Sequence, residues 1–183
     1  STDWNLILVN RDNQQEEKTP NLTQIGEVQV DSRIAENTRQ FLAAAQAIAP
    51  EETLISGYRS RAEQEELYNE KVAGEVAKGL SNEEAVSIVL KQVQLPGASE
   101  HQTGLAIDMS APEGQEDELA AKIAQLAPQY GFVLRYPDGK SDITGVDFEN
   151  WHYRYVGVEN ARYMQKHNLV LEEYIALLKE AGK

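Results

Sequence analysis

The ten residues SEHQTGLAID, numbers 99–108, decide how this chain folds. They place His101 seven residues before Asp108, which corresponds to roughly 23 Å in a fully extended chain. The two side chains reach one shared ligand only if the chain turns between them, and Gly104 gives the backbone the freedom to do so. After this glycine, larger apolar residues alternate with small ones, which predicts a strand with one buried face. Asp108 then lies on the open face of a sheet.

A second segment, ENWHYRYV at residues 149–156, shows the same alternation. His152 falls on the strand face opposite to its aromatic neighbours Trp151 and Tyr153. Glu149 precedes His152 by three residues, so in a regular strand it would point to the other side. We therefore predict that Glu149 lies in the turn just before the strand, free to approach a site above it.

Together the two segments predict a metal site. The imidazoles of His101 and His152 and the carboxylate of Asp108 form a ligand set typical of catalytic zinc with one open position. Glu149 would then act as a general base on water activated by the metal. The alternative is a structural histidine beside a strand and an aspartate that caps a strand end, and the spacing alone leaves both open. The third histidine, His167, has polar helical surroundings and is expected at the surface.

These motifs resemble the signature of the VanY-type carboxypeptidases, in the LAS group of zinc metallopeptidases. The signature is Ser-x-His-x-x-Gly-x-Ala-x-Asp followed by Glu-x-Trp-His, found here at residues 99–108 and 149–152. The SGYRS segment at residues 56–60 also matches the family. The resemblance extends from about Trp4 to the last helix. It implies an α+β fold of one domain, with a small, mostly antiparallel sheet flanked by helices.

The resemblance also implies a reaction. A single Zn²⁺ ion would be held by His101, Asp108 and His152, with Glu149 as the catalytic base. The substrates of such enzymes are peptidoglycan stem peptides that end in D-alanine. A divalent ion such as iron is an alternative for two imidazoles and one carboxylate.

Three functional hypotheses follow from this resemblance. Details at residues 131–135 and 147–157 are most similar to the L,D-carboxypeptidases of Gram-positive bacteria, which remove D-alanine from the tetrapeptide stem. The alternative is a D,D-carboxypeptidase that acts on the D-Ala-D-Ala end of the pentapeptide. The third is an inactive cell-wall binding module, which the complete set of ligands and base argues against.

A strand-to-helix junction supplies the expected substrate-binding residues. A carboxypeptidase needs a cation near the terminal carboxylate or the developing oxyanion, and Arg59 is suited to this role because arginine binds carboxylates through two parallel bonds. From local sequence alone, a surface arginine in a helix-capping turn is the simpler interpretation. Tyr58 beside it and Gln64 one helical turn later are expected in the same pocket. Ser99 either bonds substrate or bonds its local backbone.

Length and composition fit one domain over residues 1–183, with residues 1–30 as an N-terminal strand and loop packed on it. The charge is 17 minus 30, or −13, which disfavours nucleic acid and anionic membranes as partners. The chain has no cysteine, so disulfides and thiolate ligands are excluded. No run is apolar enough to span a membrane. We expect a monomer.

The expected place of action is the cell surface of a Gram-positive bacterium, because peptidoglycan lies there. The sequence has no signal-peptide pattern. A targeting or anchoring segment is therefore expected to be absent from this chain, through maturation or through the choice of its ends.

Periodicity and turn signals predict the remaining elements. Strands are predicted at residues 6–9, 53–56, 104–109, 132–136 and 151–156, with a short extended piece within 20–29. Helices are predicted at 31–49, 60–72, within 74–94 with a break near 79–80, and at 116–127, 158–167 and 171–181. The PDGK sequence at 137–140 predicts a hairpin whose second leg returns through residues 143–146.

Overall fold

Two small antiparallel sheets and the helices around them make up this computed structural model, which describes residues 3–183. The hairpin sheet contains β1 and β2, and the larger sheet has the strand order β3–β4–β6–β5. The strands are β1 (Leu22–Ile25), β2 (Val28–Asp31), β3 (Thr53–Ser56), β4 (Ala106–Ser110), β5 (Phe132–Leu134) and β6 (His152–Tyr155). The expected α+β class with a mostly antiparallel sheet is confirmed.

Seven α-helices flank these sheets in the described part of the chain. They are α1 (Ala35–Ile48), α2 (Arg61–Val76), α3 (Asn82–Val89), α4 (Asp117–Leu126), α5 (Ser141–Thr144), α6 (Val158–Lys166) and α7 (Leu171–Glu180). Short 3-10 turns lie at Trp4–Leu6, Ser32–Ile34, Glu100–Thr103 and Ala127–Tyr130. Among residues 3–183, every helix falls short of the length and apolar character that a membrane crossing requires.

The helix starts follow from their capping residues. Ser60 accepts the backbone N–H of Glu63, whose side chain accepts the N–H of Ser60 in return, so α2 begins with a capping box. Ser81 and Glu84 form the same arrangement at the start of α3. These boxes satisfy N–H groups that lack partners within the helix, which explains why both helices begin where the sequence predicts.

The core lies between α1 and one face of the larger sheet. Phe41 of α1 is fully buried, and its ring lies 5.3 Å from that of Phe132 and 4.9 Å from that of Tyr153. Burial of one such side chain stabilises the fold by roughly 1.5–3 kcal/mol. Ile107 and Met109 extend the same core from β4. The predicted buried face of this strand is therefore confirmed, and its other face is left for the site.

The sheet register brings the distant motifs together. Asp108 on β4 pairs with His152 on β6, and it also pairs with Ser56 on β3. The β3–β4 ladder shifts register between Leu54 and Ser56, so the intervening Ile55 projects outward and is half exposed. Bulges of this kind redirect side chains next to functional sites. The three strands thus present one polar surface at the end of the sheet.

Two predicted elements are wrong. The predicted strand at residues 6–9 is absent, and a 3-10 turn followed by irregular chain takes its place. The carbonyl of Leu8 in this segment accepts a hydrogen bond from the Gln15 side chain, and the carbonyl of Asn5 just before the segment accepts one from Arg154. Leu6 and Val9 are both buried, a spacing of three that does not fit a strand with one buried face.

The predicted hairpin at residues 137–146 is also wrong. The backbone N–H groups of Ile143 and Thr144 both bond the carbonyl of Lys140, which makes the return leg the short helix α5. The strand β5 instead pairs with β6, and 17 residues separate the two strands in the sequence. The PDGK sequence forms a turn, as predicted, but the residues after it form a short helix instead of a strand that pairs with β5.

Glu52 lies at the entry to β3 with only 1 % of its surface exposed. Burial raises its pKa, the charge of Glu51 adds to the rise, and the nearby backbone of Ala111 opposes it. The buried hydroxyl of Tyr153 lies close enough for the Glu52 charge to raise the pKa of that phenol as well. The folded protein therefore binds the Glu52 proton more tightly than the unfolded chain does.

Replacing Glu52 with glutamine should remove a loss of stability, on the order of 1 kcal/mol, that occurs in the wild-type protein between pH 5 and pH 8. A raised carboxyl pKa makes the folded state bind its proton more tightly, so stability is lost as pH rises from about 4.5 through the raised value. Glutamine removes this loss. Denaturant unfolding at pH 5 and pH 8 measures the effect. Glu51→Gln, which removes only the neighbouring charge that adds to the raised pKa of Glu52, should give a smaller change of the same sign. An equal change with pH in wild type and Glu52→Gln would contradict the assignment.

Candidate metal centre

Three side chains converge on one point above the larger sheet. His101, Asp108 and His152 each offer one ligand atom, and these atoms lie within 4.8 Å of one another. His101 Nε2 is 3.4 Å from Asp108 Oδ2, and His152 Nδ1 is 3.1 Å from Asp108 Oδ1. The two imidazole rings are nearly perpendicular, with centroids 4.9 Å apart. The proximity predicted from the two sequence segments is confirmed.

The hydrogen bonds of both imidazoles direct one ring nitrogen toward this point. His101 Nδ1 lies 2.8 Å from the carbonyl oxygen of Gly57, and His152 Nε2 lies 2.9 Å from Glu100 Oε1. Each of these nitrogens faces an acceptor, so each carries the ring proton. That leaves His101 Nε2 and His152 Nδ1 as the nitrogens that face Asp108 and are placed to bind a cation, which is the usual arrangement of metal-binding histidines.

Gly57 is held in place by close packing against β2. A Cβ atom there would overlap the carbonyl oxygen of Gln29, so only glycine fits. That same Gln29 carbonyl accepts the backbone N–H of Tyr58. The backbone of the SGYRS segment is thereby fixed, and its Gly57 carbonyl stays aimed at His101.

The environment of Asp108 favours a cation. Its Oδ1 atom is buried and has no hydrogen-bond partner within the described residues, whereas Ser56 donates to Oδ2. Burial by itself would raise the pKa of Asp108, but the neighbouring His101 and His152 hold it well below its usual range. A buried, ionised carboxylate needs positive charge beside it, which protonated imidazoles or a bound cation can supply. The donor set of two nitrogens and one oxygen therefore fits Zn²⁺.

Glu149 lies beside this cluster without belonging to it. Its Oε1 atom is 3.9 Å from His152 Nδ1, and its backbone N–H bonds the carbonyl of Tyr136. The residue sits in the loop before β6, as predicted. Burial raises the pKa of Glu149 to about 7, with His152 opposing the rise and Asp108 adding to it. A carboxyl group with a pKa near 7 can both accept and return a proton at neutral pH.

Arg59 lies across the same cavity. Its Nη1 donates to Gln64 Oε1 at 2.8 Å and its Nη2 approaches Ser56 Oγ at 3.4 Å. Gln64 is itself buried and donates to the carbonyl of Gln94, so it fixes the orientation of the guanidinium. Burial lowers the pKa of Arg59, whereas the charges of Asp108 and other acids raise it. With five N–H donors in all, Arg59 keeps some free for a ligand.

The cavity has a volume of about 640 Å³ and extends from the metal ligands toward α2 and the segment after α3. Arg59, Gln64 and Ser99 line it. Ser99 Oγ accepts the backbone N–H of His101 and so bonds local backbone, although its own hydroxyl proton remains available. Tyr58 is absent from the lining, and its pKa is raised by burial and by Glu17 and Glu63. A role for Tyr58 in substrate binding stays a prediction.

Several residues of the site escaped sequence reasoning. Glu100 is completely buried and contacts Arg135 and Arg154 as well as His152. Tyr136 packs on the His152 ring with centroids 4.8 Å apart. Trp151 is 39 % exposed and lines the cavity. The one available signal was the alternation in β6, which placed residue 154 on the same face as His152.

Comparison with known proteins identifies relatives of this chain. Residues 27–158 match the family model described as VanY: D-alanyl-D-alanine carboxypeptidase. A D-alanyl-D-alanine carboxypeptidase of Enterococcus faecalis is 39 % identical over 179 residues, which cover 94 % of this chain. The match spans 66 % of the length of that relative.

Solved structures show the same fold. VanYB in complex with D-alanine-D-alanine has 38 % identity and a TM-score of 0.88, over 95 % of this chain and 98 % of that one. A Zn(II) complex of VanY from a VanB-type resistance cassette has 38 % identity and a TM-score of 0.87, over 94 % and 99 % of the two chains. The LdcB LD-carboxypeptidase is more distant, with 30 % identity and a TM-score of 0.73 over 92 % and 84 %. The chain belongs to the VanY family of D-alanyl-D-alanine carboxypeptidases, which are zinc-dependent hydrolases.

Proposed function

We propose that this protein removes the C-terminal D-alanine from peptidoglycan stem peptides by metal-assisted hydrolysis. The observation that carries the proposal is the meeting of His101, Asp108 and His152 in one cavity with Glu149 beside them. Asp108 and the two imidazoles would hold the ion. Zinc in such a site polarises a carbonyl group and lowers the pKa of water to about 7.

The side chains of the site have distinct roles in this reaction. Glu149 accepts a proton from the attacking water as its oxygen bonds the scissile carbonyl carbon, and later gives a proton to the departing amine. The carbon–nitrogen bond breaks, and D-alanine leaves with a neutral amino group before it takes up a proton. Arg59 binds the terminal carboxylate or the oxyanion that develops on the carbonyl oxygen. Gln64 and Ser56 hold the guanidinium in position.

The preferred substrate is the pentapeptide ending in D-Ala-D-Ala. The structure bound to D-alanine-D-alanine shares 38 % identity and a TM-score of 0.88 with this chain, against 30 % and 0.73 for the LD-carboxypeptidase. This support reverses the preference for L,D activity that the local sequence details suggested. The L,D activity is the second candidate, because the LdcB structure also covers 92 % of the chain.

Mass analysis of the products decides between D,D-carboxypeptidase and L,D-carboxypeptidase activity. The zinc-loaded protein is incubated separately with pentapeptide and tetrapeptide stems, and loss of one alanine is followed over time. The proposal expects tetrapeptide from pentapeptide at a rate well above that of tripeptide from tetrapeptide. Faster tripeptide formation would establish the L,D activity, and intact peptides in both reactions would reject the proposed function.

Replacing Arg59 with lysine should lower kcat/KM by roughly 10²- to 10³-fold without loss of zinc. Lysine keeps the charge but cannot bind Gln64 and a substrate carboxylate through one rigid fork. Steady-state hydrolysis of the pentapeptide measures the effect. The control is Arg61→Lys, at an exposed arginine two residues away in the first turn of α2. A kcat/KM of Arg59→Lys within about twofold of the wild-type value would show that Arg59 does not have its proposed role.

The place of action follows from the substrate. Peptidoglycan stem peptides lie on the outer side of the cytoplasmic membrane, so we propose that the protein works at the bacterial cell surface. The net charge of −13 does not oppose this, because the binding of one stem peptide depends on local groups such as Arg59. The expectation of a monomer stays a prediction.

A further inference from the structure

A buried ionic cluster lies directly behind the metal ligand His152. Glu100 Oε1 is 2.9 Å from His152 Nε2, and its Oε2 accepts from Arg135 Nε and Arg154 Nη1, each at 3.1 Å. The side chains of Glu100 and both arginines are completely buried. Every charge here has a hydrogen-bonded partner of opposite sign. Removal of Glu100 would leave Arg154 buried without the carboxylate that it pairs with, which is costly.

The cluster continues to the C-terminal helix. Arg135 donates from Nη1 and Nη2 to the two carboxylate oxygens of Glu172, both at 2.8 Å. This is the parallel two-bond geometry that makes arginine–carboxylate pairs strong and directional. Glu172 lies in the first turn of α7 and also accepts a bond from Asn10. A continuous chain of contacts therefore runs from α7 through Arg135 and Glu100 to His152.

The hydrogen bond to Glu100 determines how His152 can bind a metal ion. Acceptance of the Nε2 proton fixes the tautomer and the ring plane, so that Nδ1 is the nitrogen that faces Asp108. A carboxylate partner also makes the ring a better electron donor than a neutral acceptor would. Glu100 itself has no freedom to shift, because two arginines hold its other oxygen. The orientation of His152 thus depends on where the arginines are held.

We propose that Glu100 is a positioning residue for His152, and that the Arg135–Glu172 pair makes the docking of α7 a determinant of metal affinity. The proposal rests on the metal site of the proposed function, and it adds a structural element outside the cavity to that site. Glu172 does not line the cavity. It would act on the metal only through Arg135 and Glu100.

Helix α7 offers a matched pair of variants. Glu172→Gln removes the charge from the Arg135 pair, whereas Lys140→Met removes the ion pair between Lys140 and Glu173, the next residue of the same helix turn. Lys140 Nζ is 2.9 Å from Glu173 Oε1 and has no contact with Glu100, Arg135 or Arg154. Both changes loosen the docking of α7 by one ion pair, and only the first lies on the path to His152.

Zinc dissociation constants by competition with a chromophoric chelator test the coupling, with thermal melting of the metal-free proteins as a check on folding. Glu172→Gln should weaken zinc binding by roughly 2- to 30-fold, the range for changes along a coupled network. Lys140→Met should leave the constant unchanged. Equal constants for Glu172→Gln and wild type would overturn the coupling to α7, as would equal losses in both variants.

A second set of variants tests Glu100 directly. Glu100→Gln should weaken zinc binding by about 10- to 100-fold, the usual cost of losing an outer partner of a ligand. The Co²⁺-substituted protein should show a shifted visible absorption spectrum, because the ligand geometry changes. Glu100→Asp, which keeps the charge on a shorter side chain, should recover part of the affinity. Wild-type affinity and an unchanged spectrum in Glu100→Gln would overturn the positioning role.

These readouts separate the two proposals. Both experiments measure metal binding, so they succeed or fail whether or not the protein releases D-alanine. Wild-type protein that binds zinc but leaves stem peptides intact rejects the proposed function alone. Zinc binding that does not respond to Glu100 or Glu172 rejects this inference alone, even if D-alanine release is fast.

Discussion

Replacing Glu149 with glutamine is expected to lower kcat for D-alanine release by about 10²- to 10⁴-fold, the typical contribution of a general base. Glutamine has nearly the same shape but cannot accept the proton of water. Zinc affinity should change little, because Glu149 lies outside the set of three ligands and only approaches His152 Nδ1 at 3.9 Å. Steady-state hydrolysis of the pentapeptide and the zinc content of the same sample measure both effects.

Asp147 supplies a matched control for this prediction. It lines the same cavity two residues before Glu149, and its charge contributes to the raised pKa of Glu149. Asp147→Asn therefore removes one negative charge from the cavity and leaves the base in place, so kcat should stay within about tenfold of wild type. Full turnover by Glu149→Gln with bound zinc would show that another group takes the proton.

The second large effect is expected for Asp108. Asp108→Asn should weaken zinc binding by more than about 100-fold, which exceeds the usual cost of losing an outer partner, and should abolish hydrolysis at sub-stoichiometric zinc. The amide is neutral, so a bound Zn²⁺ ion would lose the one negative charge among its three ligands. Competition with a chelator measures the dissociation constant. Turnover should return in part at excess zinc if folding is intact.

Ser56→Ala provides a graded comparison for Asp108→Asn. The Ser56 hydroxyl donates to Asp108 Oδ2, so its removal loosens the ligand and leaves its charge unchanged. We expect a loss of zinc affinity of about 10- to 100-fold, smaller than that for Asp108→Asn. An Asp108→Asn variant that binds zinc as tightly as wild type would mean that the cation is held elsewhere.

The ligand set was predictable because side chains alternate between the two faces of a strand, and the folded strands keep this alternation. Alternation along residues 104–109 put Asp108 on the open face of β4, and alternation along residues 151–156 put His152 on the matching face of β6. The antiparallel register then pairs the two residues directly. Gly104 adopts a positive φ of 76°, as the predicted turn requires.

The support behind the ligands was not predictable from the sequence. Glu100 follows a serine in a polar segment, and the composition of this segment is typical of a solvent-exposed turn. It is buried only because Arg135 and Arg154 come from two other strand segments and meet it. Such pairing depends on tertiary contacts between residues 35 and 54 positions apart, which periodicity does not encode. The same reason explains why the role of Glu172 was missed.

The two wrong elements have a related cause. Residues 6–9 are apolar enough for a strand, but side chains bind the carbonyl groups here: Gln15 binds that of Leu8, and Arg154 binds that of Asn5 just before the segment. The PDGK turn was expected to start a hairpin, and the local hydrogen bonds of Lys140 instead close the helix α5. In both segments, contacts from elsewhere in the chain or short-range bonds outweighed strand propensity.

The position of the bound zinc ion tests the proposed metal site most directly. Diffraction data from crystals of the zinc-loaded protein, collected above and below the zinc absorption edge, locate the ion without prior assumptions. We expect one anomalous peak about 2.0–2.2 Å from His101 Nε2, His152 Nδ1 and an Asp108 oxygen, with Glu149 beside it. A zinc peak away from these three atoms, or a fully zinc-loaded protein with no peak between them, would contradict the account.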